Sequence, residues 1–313
     1  MNDQGAGAVA ERLRYRALVD GIVAQYRAIP ADAPVRLAKK TSNLFRIRSG
    51  EPVRGLDVAA FDGVLAVDPQ TRTADVLGMT TYEHLVDATL THGLMPLVVP
   101  QLKTITLGGA VTGLGIESTS FKDGLPHESV LEMDVLTGAG EVVTARGDNE
   151  HADLFFGFPN SYGTLGYALR LRIELAPVRP YVELEHVRLD SAEAAAGAID
   201  EIAASGEHAG RAVDFCDGTV FGPDEVYLTL GRWADSAPYV SDYTGNSVYY
   251  RSIRERTRDF LTVRDYIWRW DTDWFWCSAG LGIQSPWVRP LVPRRYLRSD
   301  VYFKAVAFGR RSG

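Results

Sequence analysis

The residues that invite chemistry lie in one stretch, TITLGGAVTGLGIESTSFKDG, residues 104–124, where five glycines alternate with Thr104, Thr106, Thr112, Ser118, Thr119 and Ser120. Glycine is unfavourable inside helices and strands, so a cluster of it answers a steric demand: something approaches this backbone closely. Backbone amides and small hydroxyls with little side-chain bulk suit a diphosphate or a flat ring lying against the main chain. Tight turns would account for one or two of these glycines, but not for five. Glu117 and Lys122 within the stretch, and His127 just beyond it, are the nearest ionisable groups to any such ligand. Proton exchange with the ligand is the chemistry they would do. A salt bridge or loop cap is the competing reading for Glu117 and Lys122, and a surface turn for His127.

Two phosphate-binding fingerprints fail here. Gly113-Leu114-Gly115 supplies a G-x-G, and Asp134 follows about 20 residues on. The dinucleotide fingerprint also needs a third glycine, where this chain has Ser118, and a helix opening at once. In IESTSFKDGLP a glycine and a proline come too soon for that helix. A Walker loop is excluded because no G-K-[ST] is present.

The elements that must position this stretch are legible on both sides. Residues 9–27 carry apolar side chains at helical spacing, from Leu13 to Tyr26. VLAVDPQTRTADVL predicts two strands around the turn DPQT. Thr80-Thr81-Tyr82-Glu83 reads as a capping box, with the Thr80 hydroxyl and Glu83 carboxylate capping a helix over roughly 81–92. VLEMDVLTGAGEVVTA predicts a hairpin turning at residues 137–140, and LRLRI a strand with one buried face. Beyond Pro177 and Pro180 the composition changes. HVRLDSAEAAAGAIDEIAASGE predicts an alanine-rich helix, DGTVFGPDEVYLTLGRW paired strands, and SDVYFKAVAFGRRSG an edge strand or the point where a domain is cut short. Helices and strands alternate without regular βαβ spacing, which favours α+β.

Composition narrows the function classes. The chain has 313 residues, 46% of them hydrophobic, and a net charge of −7. That acidity argues against nucleic acid as a partner. Cys216 and Cys277 are too few for a disulfide framework or zinc site, and no H-x₃-H or C-x-x-C spacing supports a metal. No apolar run is long enough to span a membrane. With no signal-peptide pattern at the N-terminus, the expectation is a cytoplasmic protein, compatible with peripheral contact at a membrane.

Three motifs together resemble a known family. PQLKTITLGGAVTGLGIESTSFKDG, then LEMDVLTGAGEVV, then DLFFGFPNSYGTLG are similar to the flavin domain of the vanillyl-alcohol-oxidase (PCMH-type) superfamily, and most to its Δ24-sterol reductase branch. The resemblance covers roughly residues 35–180, sharpest from Gly113 to Gly124. It implies an α+β, two-subdomain PCMH-type FAD-binding fold with the flavin between the subdomains. It further implies an N-terminal helical segment (1–34), an FAD-binding domain (35–180), and a partial α+β substrate or cap domain (181–313), truncated at its C-terminus.

Carried over by motif, Thr106, Gly108 and Gly109 would lie along the diphosphate and ribityl chain. Gly113, Gly115, Ile116, Glu117 and Ser118 would lie by the isoalloxazine or in the turn beneath it. Gly163, Thr164, Leu165 and Gly166 would close over the adenine side. Many members carry an R-x-G-G-H loop whose histidine bonds covalently to flavin; here Arg46-Ile47-Arg48-Ser49-Gly50-Glu51 lacks a histidine, which implies non-covalent FAD.

The implied activity is reduction of a carbon–carbon double bond in a lipid, a sterol side chain or methylene-bearing fatty acyl chain, with NADPH as donor and Glu117 and Lys122 as catalytic acid–base residues. The alternatives are an alcohol or sugar oxidase of the same superfamily and a truncated flavin-binding protein without turnover. Tyr266, Trp268, Trp270, Trp274, Phe275 and Trp276, interleaved with arginines, read as a helical core face or as the rim of a lipid cleft.

Overall fold

The computed structural model describes residues 3–38, 55–245 and 247–309, and the chain divides into two compact units. Unit 1 comprises Met1–Leu97, Thr104–Gly115 and Pro126–Pro177; unit 2 comprises Val98–Lys103, Ile116–Leu125 and Val178–Gly313. The fold is α+β, as the irregular alternation of elements predicts.

Unit 1 opens with the long helix α1 (Asp3–Arg27) and the short parallel pair β1 (Leu37–Ala38) and β2 (Leu56–Asp57). Then come β3 (Val64–Asp68), β4 (Thr73–Leu77), α2 (Tyr82–Leu90), β5 (Leu94–Pro96) and α3 (Leu107–Gly113). After the single turn α4 (Ser120–Asp123), which belongs to unit 2, unit 1 resumes with β6 (Val130–Leu136), β7 (Val142–Ala145), α5 (Ala152–Gly157) and β8 (Tyr167–Pro177). The sheet runs β3-β4-β8-β6-β7, with β5 on the far end of β8.

Strand β8 alternates as predicted: Leu169, Leu171, Ile173 and Leu175 are buried. Arg170, on the opposite face, gathers Asp75 on β4 (2.6 Å), Glu132 on β6 and Asp134 on β6 (2.8 Å). Asp134 also accepts from Tyr15 of α1 at 2.6 Å and from Thr144 of β7 at 2.8 Å. Burial pushes the Asp134 carboxyl up, but these hydrogen bonds and the Arg170 charge outweigh it and hold it below the usual range. One arginine thus ties three strands and the N-terminal helix together.

Two local expectations are corrected here. The cap of α2 is Thr81, which accepts from the His84 amide, and not Thr80 with Glu83. Thr80 is fully buried, and its hydroxyl both accepts from Gly63 N–H (2.8 Å) and donates to Gly63 C=O (2.9 Å), so it has no reach to the helix. The glycine-rich stretch is also not a bare loop throughout, because Leu107–Gly113 forms α3, capped by the Thr106 hydroxyl at Gly109 N–H.

Unit 2 is built on an antiparallel sheet ordered β12-β13-β9-β14, from β9 (Tyr181–Leu189), β12 (Phe215–Gly222), β13 (Glu225–Ala234) and β14 (Arg258–Thr262). The intervening β10 (Glu207–His208) and β11 (Arg211–Ala212) make a small hairpin. The alanine-rich helix α6 (Ala192–Ser205) is shorter than its sequence pattern, because residues 181–189 extend as β9. Its ends are well signalled: the Ser191 hydroxyl accepts from Ala194 N–H, and Gly206 closes it at φ +70°. Ala195 and Ile202 of α6 pack on Val226, Leu228 and Leu230 of β13. The other face of β13 carries Tyr227 and Thr229, also buried, so this strand is covered on both sides.

Helices α7 (Tyr249–Glu255) and α8 (Val263–Trp268) and a run of 3₁₀ turns lead to α9 (Ser299–Gly309). The expected edge strand at the end of the chain is therefore a helix. Ser299 donates to Asp271 at 2.6 Å and Tyr302 donates to the Thr272 carbonyl at 2.8 Å, fixing that helix on the turn before it. Trp268, Trp270 and Trp274 are buried and Trp276 is 63% exposed, so the aromatic segment is core for most of its length.

Candidate flavin cradle and acid–base cluster

In unit 1 the glycine stretch meets demands of two kinds. At Gly108 an added Cβ would lie 2.8 Å from the Gly78 carbonyl oxygen, and at Gly78 one would lie 2.0 Å from the Ala168 oxygen. Backbone is stacked on backbone: Gly78 N–H donates to Leu169 C=O, and Gly108 N–H to Gly78 C=O. The close approach that Gly108 permits is thus made by the fold itself.

The first-turn donors of α3 are engaged in the same way. Leu107 N–H goes to Thr80 C=O, Gly109 N–H to the Thr106 hydroxyl and Ala110 N–H to Thr106 C=O. Thr106, Gly108 and Gly109 therefore offer a ligand smooth backbone rather than that set of donors.

The far end of α3 differs. Nothing lies within 4 Å of the space a Gly113 side chain would fill, and Leu114 follows at φ +59°. The turn carrying Gly163–Gly166 is brought to this end, because Tyr162 N–H donates to Thr112 C=O at 3.1 Å. Gly163 and Gly166 sit at φ +85° and +135°, and a Cβ at Gly166 would meet the Leu136 oxygen at 2.4 Å. Tyr162 and Leu165 in that turn are exposed, at 53% and 43%. Bare backbone at Gly113 beside exposed apolar side chains fits a flat aromatic ring, so the described residues fit a flavin-type cofactor. Residues 46–51, where a covalent histidine is missing, lie outside the described residues.

From Gly115 the chain enters unit 2, which contains Ile116, Glu117, Ser118 and Lys122. Ile116 is 83% exposed. Ser118 is fixed at both ends: its carbonyl accepts from Cys216 N–H at 2.8 Å, and its hydroxyl accepts from Tyr266 at 3.2 Å. Glu117 faces a charged pair on neighbouring elements, Asp217 of β12 and Arg269 at the end of α8. Arg269 donates to Asp217 and, at 2.6 Å, to the Tyr266 carbonyl, while Gln101 donates to Asp217 at 3.3 Å.

Burial first, then the like charge of Asp217, push the Glu117 carboxyl up to about 8; Arg269 and the Gln101 amide oppose them without prevailing. Glu117 therefore carries a proton near neutral pH. Lys122 stands 3.7 Å from Asp214 and over the Phe215 ring, so it serves as an anchor of the turn that bears it. His127 lies in unit 1, its Nδ1 buried.

Sequence reasoning singled out Glu117 but not the residues that tune it. Arg269 and Tyr266 fall in the aromatic–basic segment that drew attention for another reason. Asp217 gave no signal, being one of 40 acidic residues.

Comparison with known proteins agrees with this geometry. A family described as an FAD binding domain matches residues 22–146. A Δ24-sterol reductase of Arabidopsis thaliana is 30% identical over 236 residues, covering 74% of this chain and 41% of the relative. The Homo sapiens Δ24-sterol reductase is 27% identical, over 68% of this chain and 42% of its own length. Cytokinin dehydrogenase 7 of Oryza sativa subsp. japonica is 33% identical, over 53% of this chain and 31% of its own. The chain thus spans about two fifths of the length of the sterol reductases it matches. Glycine cradle, family match and relatives converge: the chain carries a PCMH-type FAD-binding domain and stands near the Δ24-sterol reductase branch of that family.

Proposed function

We propose that this chain holds FAD non-covalently and reduces a carbon–carbon double bond in a lipid, with NAD(P)H as the electron donor. When bound, FAD supplies the two-electron chemistry. The observation that carries the reading is Glu117, a carboxyl that keeps its proton to about pH 8, within the glycine-rich stretch and two residues past Gly115. Saturating an alkene requires a proton at one carbon, and Glu117 is the group able to deliver it. The Arg269–Asp217 pair and the Tyr266–Ser118 hydrogen bond hold the segment that carries it.

Lys122 pairs with Asp214 at 3.7 Å and lies over the Phe215 ring, which ties its ammonium to the α4 turn. Burial pushes the Cys216 thiol up to about 11 and raises Cys277 as well. Neither is a ready nucleophile, which supports a non-covalent cofactor. The sterol reductases among the relatives favour an alkene over an alcohol as substrate.

The test is anaerobic. Reduced holoprotein mixed with lipids bearing an isolated double bond, either a Δ24 sterol or a methylene fatty acyl chain, is expected to regain its oxidised flavin spectrum and yield the saturated lipid. A spectrum that stays reduced with every alkene lipid offered counts against the reductase.

A further inference from the structure

In TVRDY, residues 262–266, a threonine followed three residues later by an aspartate marks a helix start. The Thr262 hydroxyl accepts from Asp265 N–H at 3.1 Å and donates to the Asp265 carboxylate at 2.7 Å, which opens α8. Tyr266 comes next and is 2% exposed. Its ring packs on Phe215 of β12, centroids 4.6 Å apart, and the Arg269 guanidinium lies over it at 3.9 Å. Arg269 also donates to the Tyr266 carbonyl at 2.6 Å. Held at both ring and backbone, the Tyr266 hydroxyl is a fixed point. Burial raises it well above its ordinary value, so it stays a donor across the working pH range.

That hydroxyl donates to the Ser118 hydroxyl at 3.2 Å, across 148 residues of sequence. Ser118 follows Glu117 directly, and the turn around them is fastened elsewhere too. Glu117 N–H donates to the Ser120 hydroxyl at 2.9 Å, and Cys216 N–H of β12 donates to the Ser118 carbonyl at 2.8 Å. All these residues belong to unit 2. Glu117 itself is neither exposed nor fully buried. At that margin, a small movement of its backbone changes how much water reaches the carboxyl. The groups facing it are Asp217 of β12, Arg269 after α8 and the Gln101 amide; Lys122 and Asp123 of its own turn face Asp214.

We propose that Tyr266 is a positioning residue for Glu117: anchored on Phe215 and Arg269, it pins Ser118 and so keeps the neighbouring carboxyl in place. The inference rests on Glu117 as the proton donor of the proposed reductase. Without the Tyr266 hydroxyl, the turn loses its tie to α8. Burial does most to raise Glu117, so greater access to water returns the carboxyl toward the ordinary glutamate range.

The experiment is urea unfolding of the full chain at about pH 6 and about pH 8.5, for the parent, Glu117→Gln, Tyr266→Phe and the double variant. Tyr266→Phe keeps the ring, and with it the contacts to Phe215 and Arg269. In the parent background Glu117→Gln gains stability at the higher pH; in the Tyr266→Phe background that alkaline gain should be at most about half as large. Ser118→Ala should shrink the gain likewise, and adding Tyr266→Phe to it should shrink it no further. In turnover, Tyr266→Phe should move the alkaline limb of the rate about one pH unit lower, with FAD content unchanged. An alkaline gain equal in the parent and Tyr266→Phe backgrounds overturns the proposal, because a merely structural hydroxyl weakens the fold alike at both pH values. So do additive effects of Tyr266→Phe and Ser118→Ala. The unfolding series needs neither substrate nor turnover, so it decides the role of Tyr266 even where the reductase reading fails.

Discussion

Glu117→Gln is expected to lower the rate of alkene reduction by a hundredfold or more while leaving FAD content unchanged. General acid catalysis by a placed carboxyl contributes about 10²–10⁴ in rate, and an amide cannot release a proton. The pH profile gives the sign. A carboxyl poised at about 8 is protonated below that pH, so the reductive rate should fall as pH rises through about 8. Were the same residue a base for alcohol oxidation, the rate would rise through that pH instead.

Stability must move in the matching sense. The folded-state value lies above the ordinary glutamate value of 4.5, so between the two the folded chain holds a proton that the unfolded chain has released. The stability this confers is full below about 4.5 and is lost as pH rises to about 8. Glu117→Gln removes that loss, and the variant should unfold at higher denaturant than the parent at pH 8–9. A variant with parental turnover, or one weaker than the parent at alkaline pH, would refute the assignment.

The second large effect is expected at Arg269. Its guanidinium and the Asp217 carboxylate are almost wholly buried, with side-chain exposures of 2% and 9%. Removing one member strands the other charge, which typically costs about 3–5 kcal/mol, whereas replacing both with apolar groups is far milder. Arg269→Met should therefore destabilise unit 2 by about that amount in urea unfolding, and Arg269→Met/Asp217→Leu should recover most of it. Burial is the main cause of the raised Glu117 carboxyl, and the same pair tunes it further. Loss of the arginine should carry the alkaline limb of the pH profile upward, and Asp217→Asn, by removing the like charge, should carry it downward. If neither variant moves the limb, Arg269 and Asp217 are structural only.

How far the sequence disclosed all this depends on the range of each interaction. Period-two burial of Leu169, Leu171 and Ile173 and the glycine turn of the β6–β7 hairpin are local signals, and β8 and that hairpin stand where they predict. The cap of α2 moved by one residue because Thr80 is claimed by Gly63, 17 residues away, a contact no local pattern carries. The final apolar run became α9 because Asp271 and Thr272 receive its side chains; its spacing alone fits strand or helix. The glycine stretch shows the same limit. Its composition reveals a close approach, but at Gly108 the approaching group is the Gly78 backbone, whereas Gly113 faces open space. For the acid–base cluster, Glu117 was visible from its place in the motif. Asp217 and Arg269 arrive through sheet pairing and a distant helix, 100 and 152 residues on in the sequence.

The claim beneath every other is that this chain holds FAD without a covalent bond. Its most direct test is the visible spectrum of the purified protein before and after acid precipitation, paired with a melting curve under added FAD. The expected result is an oxidised flavin band that passes wholly into the supernatant on precipitation, identified there as FAD, and a melting temperature that rises with added cofactor. A colourless protein whose melting temperature ignores FAD, or a flavin that stays with the precipitated chain, would contradict it.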